Sequence, residues 1–109
     1  MSAKVNITVD QGADFIYNVN LIDSGGNNVD LTGFTGKAQL RTSYTSPNYT
    51  TMYAATGNTD GMVFLSMNSA TTANLTSSRY VYDLELISTD NIVSRIMEGV
   101  ITVNPNVTR

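Results

Sequence analysis

Three carboxylates, Asp83, Glu85 and Glu98, come nearest to a chemical constellation in this chain. Asp83 and Glu85 are two residues apart and so share one face of an extended strand, while Glu98 falls on the strand that would pair with it. Two close carboxyls can divide into acid and base when a cleft keeps one of them protonated. The alternation of Arg79-Tyr80-Val81-Tyr82-Asp83-Leu84-Glu85-Leu86-Ile87 instead puts these side chains on the open, solvated face of a sheet. The chain has no histidine and no cysteine. Ser-His and Cys-His nucleophile pairs, thiolate or imidazole metal sites and disulfides are thereby removed. No catalytic residue, cofactor or metal site is expected, and the chain reads as a non-enzyme. Asp23, Asn27, Asn28 and Asp30 offer oxygens of the kind calcium takes. Their spacing fits no strict calcium loop, and Gly25-Gly26 accounts for the segment as a hairpin turn.

The overall balance excludes other partners. The 109 residues carry a net charge of −3, and the six basic residues are scattered. Nucleic-acid binding by phosphate neutralisation needs them clustered, so no nucleic-acid partner is expected. No apolar stretch approaches the ~20 residues of a membrane-spanning helix, and no membrane partner is expected. Met1-Ser2-Ala3-Lys4 leads directly into alternating sequence, with no apolar leader, so a secretory signal is not expected. The four Asn-x-Ser/Thr triplets at Asn6, Asn48, Asn74 and Asn106 are then chance products of an Asn- and Thr-rich chain. Charged residues make up 14% of the chain, well below an average domain, and Ser, Thr and Asn supply the polar surface in their place.

The elements that hold these residues read as strands. Val5, Ile7 and Val9 alternate with polar residues and predict a first strand, ended by Asp10-Gln11-Gly12-Ala13. Phe15 to Ile22 predicts a longer strand, and Asp23 to Asn28 a turn. Val29 to Phe34 crosses between sheets, anchored by Leu31 and Phe34. Lys37 to Thr42 alternates again, with Ala38, Leu40 and Thr42 on one face. Ser43 to Asn48 is a loop, Tyr49 to Ala55 a strand and Gly57 to Gly61 a turn. Met62 to Met67 is nearly continuous in apolar character, which predicts burial on both faces. Ser69 to Leu75 is the helical candidate, short enough for a single turn, with Ser69 as its cap.

The last hairpin can be placed in register. A loop at Thr89-Asp90-Asn91 sets Ser88 against Ile92, Glu85 against Arg95 on the solvent side and Leu84 against Ile96 on the core side. Ile96 and Ile101 are an odd number of residues apart, so one residue must bulge out if both face the core, and Glu98-Gly99 is the predicted place. Eight or so short strands with Gly, Asn and Asp turns predict an all-β fold. The expected architecture is an Ig-like antiparallel β-sandwich of about 7–9 strands occupying residues 1–109 as one domain. Leu75 followed by Tyr80 at a strand start matches the corner tyrosine of such sandwiches; a half-buried strand aromatic is the equal alternative.

Candidate contact residues lie in the loops and the tail. Tyr44 and Tyr49 flank Pro47 and are suited to stacking on a sugar ring or entering a partner protein. Met52 and Tyr53 belong to the same stretch, with Tyr53 read as an ordinary strand tyrosine. The extended termini, Met1 to Lys4 and Asn104 to Arg109, offer strand addition or insertion through Asn104, Pro105, Val107 and Arg109.

Read in order, several segments form a familiar series. They are Asp10-Gln11-Gly12-Ala13-Asp14-Phe15, Asp30-Leu31-Thr32-Gly33-Phe34-Thr35, Gln39-Leu40-Arg41 and Ala70-Thr71-Thr72-Ala73-Asn74-Leu75. Tyr80 to Leu86, Glu98-Gly99-Val100-Ile101-Thr102-Val103 and the tail Asn104 to Arg109 complete it. In this nearly end-to-end series the chain resembles small virion structural proteins of tailed bacteriophages, which are similar to the Ig-like N-terminal domain of phage baseplate upper proteins. The resemblance implies a virion location and docking on other virion proteins of the tail, baseplate or neck, in multiple copies, with no catalytic residues to carry over. This chain ends after the expected sandwich, without a receptor-facing C-terminal region, which favours an adaptor or accessory role over host binding. A decoration or cement protein on the capsid and a carbohydrate-binding module are the competing expectations.

Overall fold

The computed structural model describes residues 3–76, 78–105 and 107. The described residues form eight strands and one short helix: β1 (Ala3–Lys4), β2 (Ile7–Asp10), β3 (Phe15–Asn20), β4 (Thr35–Arg41), β5 (Thr50–Thr56), β6 (Met62–Met67), α1 (Ser69–Ala73), β7 (Arg79–Ile87) and β8 (Val93–Asn104). The fold is the expected all-β, Ig-like sandwich. One layer runs β8-β7-β4-β5, and the other β5-β6-β3. β5 belongs to both: Thr50, Thr51 and Met52 pair with β4, whereas Tyr53 to Thr56 pair with β6. The strand therefore curls one sheet over onto itself, and the two inner faces enclose the core.

That core contains the fully buried Val9, Leu31, Leu40, Met52, Val63, Leu65, Leu84 and Ile101. They come from both layers and from the crossover segment, where Leu31 is buried and Phe34 packs against the cluster. Alternation along β7 is regular: Tyr80, Tyr82, Leu84 and Leu86 face in, while the residues between them are half-buried on the other face. β6 does not follow its expectation of two buried faces. Val63, Leu65 and Met67 are buried, but Phe64 is exposed and Met62 and Ser66 are half-buried. The outer face of this layer has no cover among the described residues, so an apolar run is half wetted. Met52, grouped by sequence with the loop tyrosines, is buried at the centre of the core. Thr42, grouped with Ala38 and Leu40, lies beyond the end of β4 and is exposed.

Two strands break the antiparallel rule. β1 and β2 both run parallel to β8, with Ile7 opposite Ile101 and Val9 opposite Val103. Between them the chain crosses closely over β8. The Val5 amide donates to the Glu98 carbonyl at 2.9 Å. The Tyr82 hydroxyl donates to the Val5 carbonyl at 2.6 Å. A side chain at Gly99 would collide with that same Val5 carbonyl. Gly99 is thus a site of close backbone approach. It is not the bulge. The pairing register shifts between Leu84 and Glu85, so that Leu84 faces Met97 and Glu85 faces Arg95. Ile96 is the extra residue and sits half-buried against the core, while Met97 takes the inward position opposite Leu84.

The hairpin loop is as predicted. The Ser88 amide donates to the Ile92 carbonyl at 2.9 Å, and Asn91 adopts a φ of 63°. A three-residue loop ending in a left-handed residue suits Asn, whose short polar side chain tolerates that conformation. α1 is capped one residue earlier than expected. The Asn68 side chain accepts from the Thr71 amide at 2.8 Å, and the Ser69 amide donates to Asp14 at 2.7 Å. The helix is tied to the β2–β3 turn by buried Thr72, whose hydroxyl accepts from the Gly12 amide and donates to the Ala13 carbonyl. After α1 the chain enters β7 through a tyrosine corner. The Tyr80 hydroxyl accepts from the Thr76 amide at 2.9 Å and lies 2.7 Å from the Thr76 hydroxyl. Of the two sequence readings of Tyr80, the corner is the one found.

Two substitutions test these locks. Tyr80→Phe keeps the ring and removes the corner bonds; it is expected to lower the unfolding free energy by about 1–2 kcal/mol in urea titration. Gly99→Ala forces the Val5 crossing away from β8. It is expected to cost about 2 kcal/mol or more, with faster amide exchange at Val5, Ile7 and Val9 than at β7.

Candidate functional surface

The outward face of β4, β7 and β8 is the chemically richest surface. It forms a shallow open depression enclosing about 250 Å³ and carries Lys37, Gln39, Arg41, Asp83, Glu85, Arg95 and Glu98, with Tyr44 at the rim. Strand register orders these groups into rows. Glu85 is flanked by Lys37 on β4 and Arg95 on β8. Asp83 is flanked by Gln39 and Glu98. Like charges directly opposite one another are unfavourable in a sheet. The bulge relieves this pair: it re-aims Arg95 along the diagonal, and its Nε lies 3.3 Å from Asp83. The expected opposition of Glu85 and Arg95 is therefore correct as register, while the ion pair itself goes to Asp83. The pair is substantially exposed, so its contribution is at most about 1 kcal/mol. Lys37, Arg41 and Arg95 balance Asp83, Glu85 and Glu98, and the face carries both signs without a net charge.

Arg41 organises the rim. Its guanidinium donates to the Ser46 carbonyl at 2.6 Å and to the Gln39 side chain at 3.1 Å. It also lies 4.8 Å from the centre of the Tyr49 ring, within cation–π range. One half-buried cation thus contacts the 43–48 loop through Ser46 and the Tyr49 ring beyond it. Tyr44 and Tyr49 remain 75% and 54% exposed, and Pro47 is exposed between them. Tyr53, read as an ordinary strand tyrosine, is also exposed. The tail residues Asn104, Pro105 and Val107 are exposed. Register puts this tail at the same end of the layer as the tyrosine loop, because Arg41 pairs with Val81 and Val81 with Val100, four residues before Asn104. The structure therefore places two groups of candidate contact residues that are far apart in sequence at one end of the same layer. Met1, Ser2, Asn106 and Arg109 lie outside the described residues.

Arg41 is not among the contact residues that the sequence suggests, where it is named only in the Gln39-Leu40-Arg41 segment. The signal available was its position two residues before a Tyr-Pro-Tyr loop. The calcium-type oxygens are engaged in turns: Asp23 accepts from the Gly25 and Asn27 amides, and Asp30 from the Thr32 amide and hydroxyl. Those Thr32 bonds, side chain first and then backbone, hold the Asp30 carboxyl below its ordinary range. Among the described residues, no group of three or more His, Cys, Asp or Glu side chains is placed to hold a metal ion.

No protein-family model matches the chain, and no curated protein matches it. Solved structures do. An internalin-like protein of Listeria monocytogenes is 14% identical with a TM-score of 0.50, over 94% of this chain and 28% of that one. The SrpA adhesin of Streptococcus sanguinis is 14% identical with a TM-score of 0.49, over 92% of this chain and 55% of that one. The chain spans about a quarter to a half of the length of these proteins, and the likeness to the internalin-like protein is one of fold alone.

Tyr82, on the inward face of β7, supplies a pH test of the Val5 crossing. Its hydroxyl is pushed up to about 12, first by burial and then by the nearby Tyr17. An acid raised in the folded state stabilises below its unfolded value of about 10 and loses that contribution as pH rises toward 12. Stability is expected to fall across this window, and Tyr82→Phe to flatten the fall in guanidinium titrations made at each pH.

Proposed function

We propose that this chain is a non-enzymatic structural protein of a tailed-phage virion, an Ig-like module that docks on tail, baseplate or neck proteins as an adaptor or accessory. The observation that carries the reading is the Arg41-fixed tyrosine loop lying at the same end of the sheet as the exposed tail. Exposed Tyr44 and Tyr49, with Arg41 bonded to the loop and stacked on Tyr49, give a partly pre-organised contact surface with a reduced ordering cost on binding. The balanced charges of the neighbouring face allow close approach to a protein of either sign. The resemblance to virion proteins supports it further; its segments fall in the β2–β3 turn, α1, the start of β7 and the Gly99 crossing. Repetition on a symmetric particle lets weak single contacts sum.

Immunogold labelling of intact particles is expected to mark the tail, baseplate or neck; protein found only in infected-cell lysate would contradict the reading. A capsid label with hundreds of copies would favour the decoration role instead. Tyr44→Ala with Tyr49→Ala is expected to reduce incorporation about tenfold or more.

A carbohydrate-binding role draws on a separate observation, the Tyr44 ring at the edge of a depression lined by planar polar groups of Gln39, Arg41 and Asp83. A glycan-array signal lost in Tyr44→Ala would favour it.

A further inference from the structure

We propose that the free edge of β3 pairs with β3 of a second copy of this chain, antiparallel and centred on Tyr17, joining two sandwiches through one continuous sheet. This inference does not depend on the virion reading. Among the described residues, β3 pairs with β6 alone, through six unbroken register positions from Phe15 to Asn20. Half of its backbone N–H and C=O groups therefore point away from the sheet. The N-terminal strands, which could have covered this edge, are paired instead with β8 on the other layer. A depression lined by Ile7, Asp10, Phe15, Ile16 and Tyr17 separates β2 from β3.

Exposed edges are normally protected by Lys, Pro or a bulge. Phe-Ile-Tyr-Asn-Val-Asn has no charge and no proline, and its pairing with β6 is continuous. The strand also fits itself. Phe15, Tyr17 and Val19 point toward the core, yet only Phe15 is buried; Tyr17 and Val19 remain half-exposed at the open side. Antiparallel pairing about Tyr17 sets Phe15 against the partner's Val19, Tyr17 against the partner's Tyr17, and Ile16 against the partner's Asn18. Every inward residue then meets an inward residue, and the half-exposed Tyr17 and Val19 are covered by their counterparts. Asp14 falls opposite the partner's Asn20, so no like charges meet. The contact is isologous, so it closes at two copies. Ile16 is 70% exposed on the outer face of this edge strand, and Tyr53, 69% exposed, lies two strands further in on the same row beyond Ser66.

Sedimentation velocity over the micromolar to sub-millimolar range tests the pairing. The wild-type chain is expected to dimerise with rising concentration. Ile16→Lys with Asn18→Lys places like charges opposite one another at exposed positions, and is expected to weaken dimerisation at least tenfold while leaving the thermal midpoint of the monomer near that of the wild type. Ile16→Glu with Asn18→Glu is expected to do the same. Mixing the two variants is expected to restore a dimer, which an unfolded variant would not do. Amide exchange of wild-type Ile16 to Asn20, slowing as concentration rises, reads the same contact without mutation. A wild-type chain monomeric throughout, variants that dimerise as well as the wild type, or a mixture that does not associate would each overturn the proposal.

Discussion

The passage of the N-terminal chain over Gly99 is the constraint on which the arrangement of the edges depends. A strand leaving the β2 end of the molecule has two layers to choose between. Here the Val5 amide binds the Glu98 carbonyl, the Tyr82 hydroxyl binds the Val5 carbonyl, and Gly99 leaves the room that both need. With these contacts made, β1 and β2 ride parallel on β8 and bring Ile7 and Val9 over the core. The same choice closes the β8 side of the sandwich and leaves β3 as an open edge on the other layer. Packing of one side and accessibility of the other are two consequences of one crossing.

The polar face follows from a second local device. Inserting Ile96 between Met97 and Arg95 keeps Met97 and Ile101 inward while turning Arg95 toward Asp83. On its own row Asp83 faces only Glu98 and Gln39, and Arg95 reaches it from the neighbouring row. β4 adds Arg41, which does its work at the strand end by holding the tyrosine loop in place. The face is thus charge-compensated and its rim aromatic.

Much of this was legible in the sequence because it rests on local rules. The Glu85–Arg95 register follows from loop length and alternation and the Asn91 turn from residue chemistry, while Tyr80 was legible only as two equal readings that its bonds to Thr76 then separated. What was not legible is tertiary. Gly99 signalled a special backbone position, but sequence could not distinguish a bulge from the approach of Val5, which is distant along the chain. The parallel choice of β1 and β2 has no signal within those strands. β6 is nearly continuous in apolar character, and its half-wetted outer face reflects a layer left uncovered among the described residues. Asn68 displaced Ser69 as cap because Asp14, from the β2–β3 turn, takes the Ser69 amide. Arg41 became visible as an organiser only when the loop folded back onto it.

The most direct test of the central claim is a set of interstrand backbone NOEs measured on dilute, isotopically labelled protein, a size of 11.8 kDa being well suited to it. The account predicts contacts of Thr8 with Thr102 and of Val9 with Val103, and none between β2 and β3. Contacts that place Ile7 to Asp10 alongside Phe15 to Asn20 would contradict it, since the N-terminal strand would then cover the edge that this structure leaves open.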